Sequence, residues 1–175
     1  MKIFKIVILG DECVGKSSLL RMFVDKKFVN SYKPTLGVEY TIKDITINEE
    51  FIGKFAIVDT AGQESYATLR SVCYQDSSGA LLVFDVTNKH SLTNIGKWMD
   101  EILKNAGKIP IVLIGNKIDL QDARELTTEQ CVKVAEEWNA PFLETSAKTG
   151  INVEEAFQKL ALIIRKSTLT TEISI

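Results

Sequence analysis

The sequence predicts an α/β fold: a six-stranded, mostly parallel sheet with one antiparallel edge strand, covered on both faces by about five helices as a three-layer sandwich. Three observations predict it. Apolar β-branched runs alternate with helix-period segments along the whole chain, the rhythm of βαβ units. Several of the runs are continuously hydrophobic, as strands buried on both faces must be. The 175 residues are 45% hydrophobic and 25% charged with 10 Gly and 3 Pro, enough for one full-sized core and unlike a disordered or collagen-like chain. Without a Gly/Ser linker, repeat or low-complexity tract, residues 1–167 read as one domain followed by a short tail, 168–175.

The first predicted strand, 2–9, contains only about four uninterrupted apolar residues before Gly10, Asp11 and Glu12, too few for a signal-peptide core or a membrane span. A helix follows at 16–25. Strands 38–47 and 51–58 are separated by Asn48, Glu49 and Glu50 alone, too short a connection for a crossover helix, so they form an antiparallel hairpin. In the first of them Val38, Tyr40 and Ile42 alternate with polar residues before the phase moves to Ile45 and Ile47, which predicts a bulge or twist near Lys43 or Asp44. A weaker helix lies near 66–75, and a strand at 80–85.

Helix 91–106 follows, with Leu92, Ile95, Met99, Ile102 and Leu103 on one face. Next come strand 109–115, helix 127–138 opened by the capping pair Thr127 and Gln130, and strand 141–144. The last helix, 152–166, is capped by Asn152 with Glu155 and carries Val153, Ala156, Phe157, Leu160 and Ile164 on one face. These stripes, Trp98 and Trp138 included, read as core, and His90 reads as a surface residue.

Charge and cysteines narrow the function classes. Lys plus Arg total 21 against 23 Asp plus Glu, so a net charge of −2 excludes broad electrostatic binding of nucleic acid but leaves room for a compact anion held by local geometry. Cys13, Cys73 and Cys131 are odd in number and far apart, neither a disulfide framework nor a metal knuckle, which points to the reducing cytoplasm. Lys2 excludes myristoylation, and 171–175 hold no cysteine for a prenyl group, so no lipid anchor is expected within this chain.

Three segments carry chemistry. Residues 10–17 read GDECVGKS, a match to GxxxxGK[ST] directly after a strand and opening a helix, the context of the P-loop NTPase architecture. Backbone N–H groups along Asp11, Glu12, Cys13, Val14, Gly15, Lys16, Ser17 and Ser18 can wrap phosphates at a helix N-terminus; Lys16 reaches the outer phosphates and the Ser17 hydroxyl meets Mg2+. Residues 59–64 read DTAGQE at a strand end: Asp59 can hold Mg2+ through water, Gly62 can offer its N–H to a terminal phosphate, and Gln63 can orient an attacking water. Residues 116–119 read NKID, and a carboxylate at Asp119 can accept from both the ring N–H and the exocyclic amine of guanine, where adenine has no such donors. Leaving that carboxylate unpaired rejects adenine by about 10^4-fold. Ser146, Ala147 and Lys148, after the last strand, can close the other side of the base with a backbone N–H.

Together these residues resemble the small GTPases of the Ras superfamily, most closely the Rab branch, over about residues 2–166. The resemblance implies a Mg2+ site of Ser17, Thr35 and Asp59, a base pocket that includes Phe28, Asn116, Lys117, Asp119, Ser146, Ala147 and Lys148, and a first switch containing Tyr32 and Thr35. GVEY, the spacing to DTAGQE and the later KWMDEI are similar to Rab proteins. It further implies GTP and GDP as ligands with Mg2+, and slow hydrolysis resting on Gln63, Lys16 and Thr35, with switch segments 30–37 and 59–72 reporting nucleotide state. Effectors, an exchange factor and an activating protein with an arginine finger in trans are the implied partners. A monomer in vesicle trafficking or signalling is implied too, cytoplasmic and peripheral to membranes if the full-length chain carries a lipidated tail.

The chain departs from the family pattern at four places. Glu12 and Cys13 stand where small residues are usual, and the resemblance implies that a side chain at 12 points toward the third phosphate, Gln63 and the path of the arginine finger. Of the aromatic triad that Rab proteins present to effectors, Tyr40 alone is aromatic here, with Val58 and Cys73 at the other positions. The prenylated cysteine tail has no counterpart in 168–175. Two other readings stand beside the switch: a GTP-bound scaffold that hydrolyses little because of Glu12, and a phosphate-loop ATPase or kinase.

Overall fold

The computed structural model describes residues 2–30, 34–47 and 49–173. Its strands are β1 (Ile3–Leu9), β2 (Val38–Ile47), β3 (Glu50–Thr60), β4 (Gly79–Asp85), β5 (Ile111–Asn116) and β6 (Phe142–Glu144). Its helices are α1 (Lys16–Asp25), α2 (Ala67–Cys73), α3 (Lys89–Thr93), α4 (Ile95–Ala106), α5 (Thr128–Glu137) and α6 (Val153–Ile173). The single sheet runs β2-β3-β1-β4-β5-β6, and all neighbours are parallel except the edge pair β2–β3. The expected α/β sandwich with its one antiparallel edge strand is therefore present.

The continuous apolar runs work as two-sided strands. Along β1, Ile6 and Ile8 enter the core layer shared with α1 and α6, while Val7 and Leu9 enter the layer shared with α2, α4 and α5. In the first layer Phe23 of α1 stacks on Phe157 of α6 with ring centroids 3.8 Å apart. β4 is buried over its whole length. Strand order reverses at β1, whose neighbours β3 and β4 are reached by connections on opposite sides, so the crevice beyond its carboxyl end is where such a sheet binds ligands.

Several local expectations are corrected. The 91–106 helix starts earlier and breaks at Asn94 into the short α3 and the longer α4. The expected irregularity near Asp44 falls between Ile45 and Thr46: β2 pairs without interruption through Ile45, opposite Gly53, and the extra residue is Ile52 of β3. Tyr40 and Ile42 simply face solvent at 65% and 66% exposure while Ile45 faces the core, so the phase change marks apolar residues on both faces of an edge strand. Leu103 and Trp138 are partly exposed rather than core, whereas Trp98 is buried. Asn152 adopts a left-handed backbone and donates its amide to the Glu144 carbonyl instead of capping α6, and α6 continues to Ile173. Thr127 and Gln130 form the expected capping box, and His90 is exposed. No described helix is long and apolar enough to cross a membrane.

Candidate functional site

The loops at the carboxyl ends of β1, β3, β4, β5 and β6 converge because the parallel register brings those ends level: Ile8 lies beside Asp59, Asp85 beside Asn116, and Gly115 beside Glu144. They surround a cleft of about 350 Å³. At one end of it are Glu12, Cys13, Gly15, Lys16, Ser17, Thr35, Gly62 and Gln63; at the other are Phe28, Asn116, Lys117, Asp119, Ala147 and Lys148, and Ser18 also lines it. Tyr32 lies outside the described residues. Thus residues spread over the whole chain meet in one crevice, as the motifs required.

The phosphate-loop end is built around Lys16. It is buried, and its ammonium donates to the carbonyls of Gly10 at 2.8 Å and Asp11 at 2.7 Å. Burial lowers its pKa to about 8, against the opposing pull of Asp59 and Asp11. Gly15 has φ 100 and a Cβ there would come 2.3 Å from the Asn116 amide, so only glycine closes this turn. A Cβ on Gly62 would meet the backbone of Asp11 and Glu12 at 2.6 Å, so the two loops touch main chain to main chain.

A cation fits beside Lys16. Asp59 is buried, its Oδ2 accepts from the Ser17 hydroxyl, and the Ser17 and Thr35 hydroxyl oxygens lie 2.8 Å apart. Asp59 Oδ1 is buried with no hydrogen-bond partner among the described residues. Burial pushes the Asp59 carboxyl above the usual range, which the Ser17 hydroxyl and Lys16 only partly offset. An orphaned carboxylate oxygen with two hydroxyls at hand is the hard-oxygen donor set that Mg2+ takes, with phosphate and water completing it.

At the far end, Asp119 Oδ1 accepts from the Ser146 hydroxyl at 2.6 Å, which orients the carboxylate. Ser146 is buried, and its Oγ also accepts from the Thr149 N–H. Asn116 is buried as well: its amide donates to the Val14 carbonyl at 2.9 Å, and its oxygen accepts from Thr145 Oγ1 and the Ala147 N–H, both at 3.1 Å. Asn116 thus ties three loops together, and the acceptor open to a base edge is Asp119.

The structure adds residues that the motifs did not reveal. Asp85, at the end of β4, pairs with Lys117 at 2.6 Å and accepts from the Thr87 N–H and hydroxyl. An acid ending an otherwise apolar strand was the available signal. Arg21 lines the cleft. Asp11 turns its side chain away from the cleft, accepting from the Trp98 indole and the Asn94 amide, both at 2.7 Å, and Val14 is buried, so both act in the loop through backbone. Gln63 Nε2 donates to Glu12 Oε1 at 2.9 Å, a contact between the two residues that the sequence placed in conflict.

Comparison with known proteins agrees with this geometry. The sequence model of the Ras family matches residues 5–166. The chain is 41% identical over 166 residues to the GTP-binding protein YPTM1 of Zea mays, covering 94% of this chain and 79% of that protein. It is 44% identical over 157 residues to the GTP-binding protein ypt3 of Schizosaccharomyces pombe, covering 89% and 73%. With the Ras-related protein Rab-1 of Theileria annulata it shares 43% identity over 165 residues, covering 93% and 74%. On a match of this extent, joined to a phosphate loop, a strand-end DTAGQE and an NKID that meet in one cleft, the chain belongs to the Ras family and is a Rab-like member of it.

Proposed function

We propose that this protein is a guanine-nucleotide switch that binds GTP and GDP with Mg2+ and hydrolyses GTP slowly to GDP and phosphate. The observation that carries the reading is the two-ended cleft, with Lys16 and the Ser17–Thr35–Asp59 cluster at one end and Asp119, oriented by Ser146, at the other. Such a cleft suits a nucleotide whose base presents two donors and whose tail is anionic.

Lys16 meets the outer phosphates with its ammonium, and the phosphate charge favours the protonated form that burial disfavours. Ser17, Thr35 and Asp59 would hold Mg2+, which supplies positive charge to the phosphoryl oxygens when bound. Gln63 orients the attacking water, and Gly62 presents its N–H to the third phosphate, as Thr35 adds a contact from the first switch. No protein nucleophile is involved. The intrinsic rate is on the order of 10^-4 to 10^-3 per second, and a partner supplies the arginine that speeds it. Loss of the third phosphate releases segments 30–37 and 59–72, which is how partners read the nucleotide.

Those partners are effectors, an exchange factor and an activating protein. The exposed apolar side chains Leu36, Tyr40, Ile42, Leu69 and Val72 surround the switch segments and form the surface for them. The chain acts as a monomer in the cytoplasm, in vesicle trafficking or signalling, residues 1–167 forming the switch domain. A second reading, a GTP-bound scaffold with little turnover, is favoured by the contact of Glu12 with Gln63.

The test is to release the nucleotide from purified protein, identify its base, and measure phosphate release from bound GTP. Guanine and slow release are expected, and Asp119→Ala weakens GDP binding by at least 100-fold while removing the preference over ADP. Adenine in the native protein, or an unchanged preference in Asp119→Ala, overturns the reading.

A further inference from the structure

The second helix of the switch region contains a buried cation that the mechanism above does not use. Arg70 of α2 is 0% exposed. Its Nη1 donates to the carbonyl oxygens of Ala61 at 3.0 Å and Gln63 at 2.6 Å, the two residues that flank Gly62. Its other edge grips Glu101 of α4, Nε to Oε1 at 3.0 Å and Nη2 to Oε2 at 3.3 Å. Glu101 Oε1 also accepts from the Tyr74 hydroxyl at 2.8 Å. The guanidinium lies over the Trp98 ring at 4.8 Å, and the same indole holds Asp11 of the phosphate loop.

We propose that Arg70 is a positioning residue for GTP recognition and hydrolysis, pinning the Ala61–Gly62–Gln63 turn to α4 and setting it against the phosphate loop. The inference rests on the switch reading above. Both carbonyls around Gly62 are held by one guanidinium nitrogen, so the direction of the Gly62 N–H and the path of the Gln63 backbone are fixed relative to α4. A planar fork is needed for this, because it must face a carboxylate on one edge and two carbonyls on the other while sitting over an indole. Lysine retains the charge but is a point donor that cannot span both edges. Trp98 ties the same assembly to Asp11, one residue before Glu12, so turn and phosphate loop share a single support. Gln63 is therefore restrained twice, through its carbonyl by Arg70 and through its amide by Glu12.

The prediction separates positioning from mere stability. Groups flanking Gly62 bear on the third phosphate and on the attacking water, and not on the diphosphate or the base. Arg70→Lys and Glu101→Gln are compared with the native protein in three measurements: GDP affinity, affinity for a non-hydrolysable GTP analogue, and single-turnover GTP hydrolysis, each with Mg2+ present. Arg70→Lys is expected to slow hydrolysis by roughly 10- to 100-fold, the scale of a misplaced reacting group. It should weaken the analogue relative to GDP by about tenfold while leaving GDP affinity within about twofold. Glu101→Gln, which keeps one acceptor oxygen for Arg70 but loses the charge and puts an amide donor in place of the second, should show the same pattern with a smaller loss. Should Arg70→Lys fail to fold, Glu101→Gln carries the test by the same ratio. An unchanged analogue-to-GDP ratio and hydrolysis rate in a folded variant, or equal weakening of both nucleotides, overturns the proposal. Failure of the native protein to bind guanine nucleotides would instead overturn the switch reading beneath it.

Discussion

Replacing Glu12 by glycine is expected to speed GTP hydrolysis by about fivefold. The structure supplies the reason: Gln63 Nε2 donates to Glu12 Oε1 at 2.9 Å, so the amide that must turn toward the phosphate and water is held by a neighbouring carboxylate. A hydrogen bond to a charged acceptor contributes about 1.5–3 kcal/mol when shielded, and Glu12 is exposed, so about 1 kcal/mol is the appropriate discounted figure. That corresponds to roughly a fivefold excess of the held over the released amide, and to the same factor in rate when Glu12 is removed. Glu12→Gln retains an acceptor oxygen without the charge, so its gain should be smaller, about twofold. The assay is single-turnover phosphate release from preloaded GTP, with GDP affinity measured alongside to exclude an effect on binding. Repeating Glu12→Gly in a Gln63→Leu background closes the cycle, and there the gain should vanish. A gain that persists without Gln63 would refute the contact as the cause, and no gain at all would remove the scaffold reading with it.

Three other outcomes follow from the geometry. Because burial lowers the Lys16 pKa to about 8 and bound phosphate restores the charged form, nucleotide binding takes up a proton above that pH. Calorimetry in buffers of different ionisation enthalpy should show proton uptake that grows from pH 7 to pH 9, with affinity falling as pH rises. The unfolded lysine keeps its proton to a higher pH, so the nucleotide-free fold gains stability from about pH 8 upward; a pH-independent affinity from 7 to 9 would contradict this assignment. Asp59→Asn should abolish the tightening of GDP by Mg2+, since the orphaned Oδ1 is the charged oxygen available to the cation, and persistence of the Mg2+ effect in titrations would move the cation site elsewhere. Phe157→Ala removes the stacked partner of Phe23 from the layer between α1 and α6 and should cost about 3–5 kcal/mol, read in thermal or denaturant melts; a loss under about 1 kcal/mol would show that this contact is not a keystone of the core.

Sequence and structure divide the account of this protein between them. The strand and helix alternation, the edge hairpin, the phosphate loop, DTAGQE and NKID were legible in the chain because each is a local pattern: a periodicity of two or 3.6, a glycine turn before a helix, an acid at a strand end. The phase change in β2 pointed to the irregularity that follows Ile45 but not to which side of the strand is covered, because an apolar side chain at Tyr40 or Ile42 looks the same in sequence whether it faces the core or solvent. Trp138 misled for the same reason, since helical spacing marks a face but does not say whether anything covers it.

Pairings between distant residues belong to the tertiary structure alone. Trp98 with Asp11, Arg70 with Glu101 and the carbonyls around Gly62, Lys117 with Asp85, and Asn116 across three loops all join atoms that only the sheet order brings within hydrogen-bond reach. A chain that places its chemistry at the carboxyl ends of parallel strands announces the chemistry locally. Hydrogen bonds act over about 3 Å, whereas these partners lie from 7 to 102 residues apart in the chain, so their orientation, and the assignment of Arg70 to the turn that carries Gln63, was decided by the fold.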